Sequence, residues 1–275
     1  MGTSKEIIVW GKPLDTDSLD NSSSIYLKGL TQEKPTVEWL WEEMDRVWLD
    51  KGLDNKKDFA IQDIGGFYSH PVWIANGIFT CIDKESIDHR KAIKDYLVDI
   101  KAQNIADYGG GSGVLAEIIT ANSDINVDIV EPYPFEFFIN KYKDNTKIKY
   151  VNDFESSNYD VIIAQDVLEH VENPIEMAYQ LSKHVKLDGY VIFANCFYPV
   201  IKCHLPRTFY LRHTFRLVMT AMGLKYVGRV KGASHALIFQ RKNNLNLRKA
   251  IVASKVARAS QPLIQIASKL KNKFI

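Results

Sequence analysis

The sequence predicts an α/β fold: a seven-stranded, mostly parallel sheet with helices on both faces and one antiparallel edge strand. Three observations predict it. From Asn104 onward, short apolar runs alternate with amphipathic helical segments, the pattern of parallel strands joined by covering helices. A glycine run, Gly109 to Gly113, stands between the first of these strands and the next helix, where folds of this kind turn sharply to meet a ligand. Two last strands flank the turn Lys231-Gly232-Ala233-Ser234, which adds an antiparallel member at one edge.

The strands fall at Ile105 to Tyr108, Asn126 to Val130, Ile148 to Val151, Tyr159 to Ala164, Tyr190 to Ala194, Tyr226 to Val230 and Ala236 to Gln240. Helices are expected over Gly113 to Ala121, Pro134 to Tyr142, Pro174 to His184 and Phe209 to Met222. Ahead of the sheet, Asp83 to Ile100 sets Ile87, Ile93, Tyr96, Leu97 and Ile100 on one helical side. Thr36 to Leu49 does the same with Val37, Leu40, Trp41, Met44, Val47 and Trp48, tryptophans that read as packing residues. Residues 59–80, with Gly65-Gly66 and His70-Pro71, suggest short helices and turns. The polar stretch 11–24 predicts a loop or mobile segment. The chain thus divides into an N-terminal helical lid region (1–82), a central domain (83–240) and a basic tail (241–275).

Hydrophobic residues make up 46% and charged residues 25% of the 275, the balance of a soluble globular chain. No apolar run approaches the roughly 18 residues of a membrane-spanning helix. Met1 to Trp10 lacks the features of a secretory signal, so a cytoplasmic location is expected. Cys81, Cys196 and Cys203 form no Cys-x-x-Cys pair, which argues against a disulfide framework or zinc site. The net charge is +2, yet residues 241–275 hold nine Lys or Arg and no acid, leaving −7 on the rest. An acidic body argues against a nucleic-acid-binding core.

Asp107-Tyr108-Gly109-Gly110-Gly111-Ser112-Gly113 is the strongest local feature. Glycines let the backbone turn sharply and approach a ligand closely. Glu131 ends the next strand, 22 residues after Gly109, where a carboxylate can accept hydrogen bonds from both ribose hydroxyls of an adenosine. A nicotinamide enzyme prefers Gly-x-Gly-x-x-Gly facing a pyrophosphate, whereas here Val114 stands where that third glycine is wanted. Asp107 would repel a pyrophosphate and suits the ammonium of a methionine moiety. The nucleoside expected is therefore S-adenosylmethionine.

The segment Asp160-Val161-Ile162-Ile163-Ala164-Gln165-Asp166-Val167-Leu168-Glu169-His170-Val171 follows in the fourth strand and beyond it. It resembles the Asp-Val-Leu-Glu-His-Val signature of class I S-adenosylmethionine-dependent methyltransferases, which have a Rossmann-like fold. The branch it resembles includes ubiquinone-biosynthesis O-methyltransferases and sugar or small-molecule O-methyltransferases. With the glycine run, Glu131 and Lys186-Leu187-Asp188-Gly189-Tyr190, the resemblance covers about residues 90–240. It implies that Asp107 and Gly109 line the methionine end and that Gly111 and Gly113 shape the turn. Glu131 would hold the ribose, and Pro132 or Tyr133 would lie against the adenine face. Asp153 would meet the adenine amino group with Phe154 beside it. Gln165 and Asp166 would sit near the sulfonium. The triple glycine followed by Ser112 departs from the Gly-x-Gly-x-Gly with Cys or Thr of many relatives.

The implied reaction is methyl transfer to a small molecule or a sugar or glycan precursor. Positioning supplies much of its catalysis, and an oxygen nucleophile also benefits from a base. His170 leads as that base, with His204 and His213 as alternatives. No metal is assigned, although in some relatives the positions of Asp166, Glu169 and His170 bind a divalent ion. The acceptor site is expected after the fifth strand, from Tyr198, Arg207, Tyr210 and Arg212, whose arginines suit an anionic acceptor. Two other readings stay open: a nicotinamide-dependent oxidoreductase, opposed by the glycine spacing, and a cofactor-binding but inactive partner subunit. Residues 245–275 carry two apolar stripes among cations, separated at Pro262, a candidate for peripheral contact with an anionic membrane surface.

Overall fold

A computed structural model describes residues 6–30, 33, 35–59, 61–156 and 158–271, without the side chains of 61–63 and 262–271. The chain begins with strands β1 (Glu6–Val9) and β2 (Lys12–Asp15), paired antiparallel, and helix α1 (Asn21–Lys28). The loop expected over 11–24 is corrected here, because its acids act as caps. Asp15 accepts from the Asp17 N–H and Asp20 from the Ser23 N–H, each starting a helical turn by satisfying a free donor. Helices α2 (Val37–Asp50), α3 (Ile61–Tyr68) and α4 (Val72–Thr80) follow. Thr36 caps α2, whose apolar stripe turns inward as its spacing predicts. Trp48 is 1% exposed and meets Phe59 and Phe67 edge-on. This N-terminal core also takes in Phe138, Cys203 and Leu205 from the later chain.

Helix α5 (Lys84–Asp99) leads into the main sheet. Its first half is β3 (Asn104–Tyr108), α6 (Val114–Thr120), β4 (Asn126–Val130), α7 (Glu136–Tyr142) and β5 (Ile148–Val151). The second half is β6 (Tyr159–Gln165), α8 (Pro174–Lys183), β7 (Val185–Ala194), α9 (Leu211–Met222), β8 (Leu224–Val230) and β9 (Ala233–Arg241). Seven strands lie in the order β5-β4-β3-β6-β7-β9-β8. The first five are mutually parallel, and β9 enters antiparallel between β7 and β8. The antiparallel addition therefore falls at one side of the sheet, with β8 outermost. Strand β7 starts at Val185 rather than Tyr190, across an irregularity in its pairing with β6.

Successive residues of a strand point to opposite faces, and both faces here are covered. Ile105, Ile163 and Ile192 pack with α5 and α6 residues such as Ile93, Leu97, Leu115 and Ile119. Their neighbours Ala106, Ile162 and Phe193 pack with α8 and α9 residues such as Leu181, Phe215 and Met219. Burial on both sides explains the unbroken apolar run Val161 to Ala164.

Helix α10 (Leu247–Lys271) closes the described chain and packs on α8 and α9. The break expected at Pro262 is corrected, since the helix runs through it. A proline forgoes one backbone hydrogen bond and crowds the carbonyl four residues earlier. The preceding turns are buried against the domain through Ala250 and Ala257. Tail residues 272–275, Lys273 among them, lie outside the described residues. The three cysteines are free thiols.

Candidate functional site

Strands β3 and β6 are neighbours, but the chain leaves β3 toward β4 and leaves β6 toward β7. Such a reversal opens a crevice at the carboxyl ends of the two strands. The glycine run leaves one of them and Gln165-Asp166 the other. Gly109, Gly111 and Gly113 all have positive φ, which few side chains tolerate. Gly113 (φ +76°) also has no room, since a Cβ there would lie 2.8 Å from the Tyr142 ring. Gly113→Ala should cost roughly 2–4 kcal/mol, combining left-handed strain with overpacking. A melting curve unchanged from the parent would refute this. Asp166 is also left-handed (φ +53°) without being glycine, the kind of strain that clusters at functional sites.

Glu131 stands at the end of β4 and fixes the glycine run. One carboxylate oxygen accepts from the Gly111 N–H at 2.9 Å and the other from the Tyr133 N–H at 3.0 Å. Burial raises its carboxyl, and these two donors oppose the rise. Each oxygen keeps a further lone pair for a ligand hydroxyl. Asp107 is 2% exposed, and burial pushes it up to about 7 against the pull of the Arg90 guanidinium. Arg90, on α5, lines a small cleft with Asp107, Gly109, Gly110, Ser112 and Gln165. The sequence reading missed Arg90, which lies in an ordinary amphipathic helix, and no local signal marks it.

Several buried polar atoms here have no partner: Asp107 Oδ2, Arg90 Nε, Gln165 Oε1, Tyr68 Oη, Glu169 Oε2 and Asn195 Oδ1. Buried polar groups are normally satisfied, and three of these residues, Asp107, Arg90 and Gln165, line the small cleft together, which fits a polar ligand. Tyr133 stacks on Tyr68 of α3, with centroids 5.5 Å apart and planes 18° from parallel. Gly77 of α4 abuts Ser112 so closely that a Cβ would approach it to 2.6 Å. Helices α3 and α4 thus touch Tyr133 and Ser112. Tyr68 was missed because its segment shows no periodicity that singles it out. Pro132 and Asp153 are exposed. Phe154 lies in an aromatic stack with Tyr108 and His184, so its ring is engaged within the protein.

Beyond β6, Glu169, His170 and His204 gather with ligand atoms within 4.8 Å of one another. Glu169 is fully buried, and one of its oxygens accepts from the Cys196 N–H. Burial raises its carboxyl, reinforced by the Asp166 charge. His170 Nδ1 lies 3.1 Å from the Cys203 carbonyl and His204 Nδ1 lies 3.0 Å from the Tyr198 carbonyl. A carbonyl can only accept, so both Nδ1 atoms carry the proton and both Nε2 atoms keep a lone pair. Burial, with His204 nearby, holds His170 down at about 3. It is therefore a neutral imidazole at physiological pH and a weak proton acceptor. Asp166, whose charge acts on Glu169, also accepts from the Gln165 side chain at 3.4 Å.

Of the four residues expected at the acceptor site, two come together: the Arg212 guanidinium lies 4.8 Å over the Tyr198 ring. The other two are engaged within the protein. Arg207 is bonded to Asp58, Glu172 and the Lys57 carbonyl, so its charge clips the N-terminal segment to the domain. Tyr210 bonds Ser254 and lies under Arg258, which anchors α10. His213 sits on the exposed side of α9, whose buried side is Leu211, Thr214, Phe215 and Val218.

The strand order, the loop at the switch point and the acid after β4 define a class I methyltransferase fold. The family model for the methyltransferase domain matches residues 86–227, and the chain belongs to that family. A ubiquinone biosynthesis O-methyltransferase of Rickettsia typhi is 29% identical over 141 residues, covering 46% of this chain and 56% of that one. A protein of the same name from Rickettsia bellii is 31% identical over 113 residues, covering 38% and 46%. The chain thus spans about half the length of the curated relatives it matches. Among solved structures, a candidate O-methyltransferase of Nostoc punctiforme superposes with a TM-score of 0.54 at 12% identity, covering 81% of this chain and 77% of that one. That likeness is one of fold.

Proposed function

We propose that the chain transfers a methyl group from S-adenosylmethionine to an oxygen of a small molecule or of a sugar or glycan precursor. The observation that carries this reading is the polar cleft at the β3–β6 switch point. Glu131 stands beyond the glycine run, and Asp107 faces Arg90 beneath it. S-adenosylmethionine supplies a methyl group already activated on sulfonium sulfur. Glu131 would accept from the two ribose hydroxyls. Asp107 would take the ammonium and Arg90 the carboxylate of the methionine end, each satisfying an atom otherwise unpaired. Tyr68 of α3, stacked on Tyr133, would exclude water from the nucleoside side. With the methyl donor bound, an acceptor oxygen held in line with the methyl carbon would displace the sulfur, its proton passing to solvent or a basic group. Oxygen is favoured as the target because both curated relatives are named as O-methyltransferases.

The Glu169–His170–His204 group supports a second element, a divalent cation at the acceptor end. Metal-bound imidazoles characteristically donate their other N–H to a carbonyl or carboxylate, as His170 and His204 do. Two imidazoles and a carboxylate suit a first-row transition ion. Such an ion would lower the pKa of an acceptor hydroxyl. Glu169→Gln and His204→Ala should each weaken Mn²⁺ or Zn²⁺ binding at least about tenfold, the lower end of what loss of an outer-shell partner costs. Equilibrium dialysis showing no ion on the parent protein would remove the cation from the reading.

Calorimetric titration with S-adenosylhomocysteine, run beside NADH, tests the reading. Micromolar binding of the former and none of the latter is expected. Tight NADH binding instead would restore the oxidoreductase. Transfer of labelled methyl to phenolic or sugar hydroxyls would then separate an enzyme from a cofactor-binding partner subunit.

A further inference from the structure

We propose that the outer face of α10 docks on an anionic lipid surface. The inner face of this helix, with Ala250, Ser254 and Ala257, is buried against the domain. The outer face leaves Val252 61% and Val256 64% exposed. Val252, Val256 and Ala259 recur at spacings of four and three, which puts them on one side of a helix. Because the helix continues through Pro262 to Lys271, positions 263, 266 and 270 extend the same spacing, and they hold Leu, Ile and Leu. The helix is about 38 Å long at 1.5 Å per residue.

Arg248, Lys249, Lys255 and Arg258 are exposed beside the apolar positions. None of them forms an ion pair among the described residues, Arg258 lying over the Tyr210 ring, and residues 241–275 contain no acid. No described helix is long and apolar enough to cross a membrane, so the geometry is that of a helix lying in the interface plane. A polyanion such as duplex DNA would meet the cations but would give the valines no apolar phase to enter. A second copy meeting this face symmetrically would set like charges against each other. A lipid surface satisfies both the cations and the stripe.

The full chain, Lys249→Glu/Lys255→Glu and Val252→Asp/Val256→Asp are compared by co-sedimentation with phosphatidylglycerol–phosphatidylcholine vesicles and with phosphatidylcholine alone. All four sites are exposed, so melting curves should match the parent. Each basic residue near an anionic surface adds roughly fivefold to partitioning. The double charge reversal should therefore lower binding at least about 25-fold, raised salt should weaken the parent, and phosphatidylcholine alone should retain little. Four results would overturn the proposal: no binding to anionic vesicles, binding that both variants keep, preference for duplex DNA, or a parent dimer that Val252→Asp/Val256→Asp dissociates. The salt dependence of the parent alone decides the matter should a variant fail to fold.

Discussion

Glu131→Ala is expected to weaken S-adenosylhomocysteine binding at least about a hundredfold while the chain still folds. A hydrogen bond to a charged group contributes about 1.5–3 kcal/mol, and a ribose would give this carboxylate two. Their loss alone is worth roughly a hundredfold or more, since 1.4 kcal/mol is about tenfold. The carboxylate also ties the Gly111 and Tyr133 N–H groups, so its removal loosens the loop that must meet the ligand. Glu131→Gln separates the two effects. It keeps one acceptor oxygen and turns the other into a donor, which faces the N–H groups wrongly. It should therefore fall close to alanine in affinity rather than close to the parent. Calorimetry gives the affinities and circular dichroism checks the fold. Alanine binding within about threefold of the parent would mean that the nucleoside sits elsewhere.

Much of this site was legible in the sequence because its signals are local. The glycine run, Glu131 and Gln165-Asp166 lie at strand ends, and apolar periodicity marks strands well. Strands β4 and β5 match their expected bounds to the residue. What was not legible depends on tertiary contact. Arg90 comes from a helix preceding β3, and its relation to Asp107 exists only once α5 lies across the sheet. His204 joins Glu169 and His170 only because the segment after β7 folds back over them. The bonds of Arg207 and Tyr210 within the protein were not legible either, since a cation or a phenol has the same sequence signature whether it meets a substrate or its own chain. Residues 11–24 misled because aspartate and serine favour loops and helix N-caps alike, and only the following backbone shows which.

Asp107 should make both ligand affinity and stability depend on pH, in opposite senses. Burial raises its folded pKa from the ordinary 3.8 to about 7. Between those values the folded chain holds a proton that the unfolded chain has released, so stability falls as pH rises through this window. Above about 7 the carboxylate is ionised in both states and the full cost remains. A rise of that size corresponds to about 4 kcal/mol, an upper figure that relaxation around the charge would reduce. Asp107→Asn removes the charge and should raise the melting temperature of the ligand-free protein at about pH 8, with little change at about pH 4. The ligand demands the reverse. A methionine ammonium binds the ionised carboxylate, so affinity for S-adenosylhomocysteine should climb about tenfold per pH unit up to about 7 and then level off. Asp107→Asn should bind at least about tenfold more weakly at about pH 8, through loss of a charged hydrogen bond, and its affinity should lose that slope. A variant both more stable and poorer at binding would show that the buried charge is retained for its ligand. A parent affinity flat from about pH 5.5 to 8 would instead mean that Asp107 does not meet the ammonium.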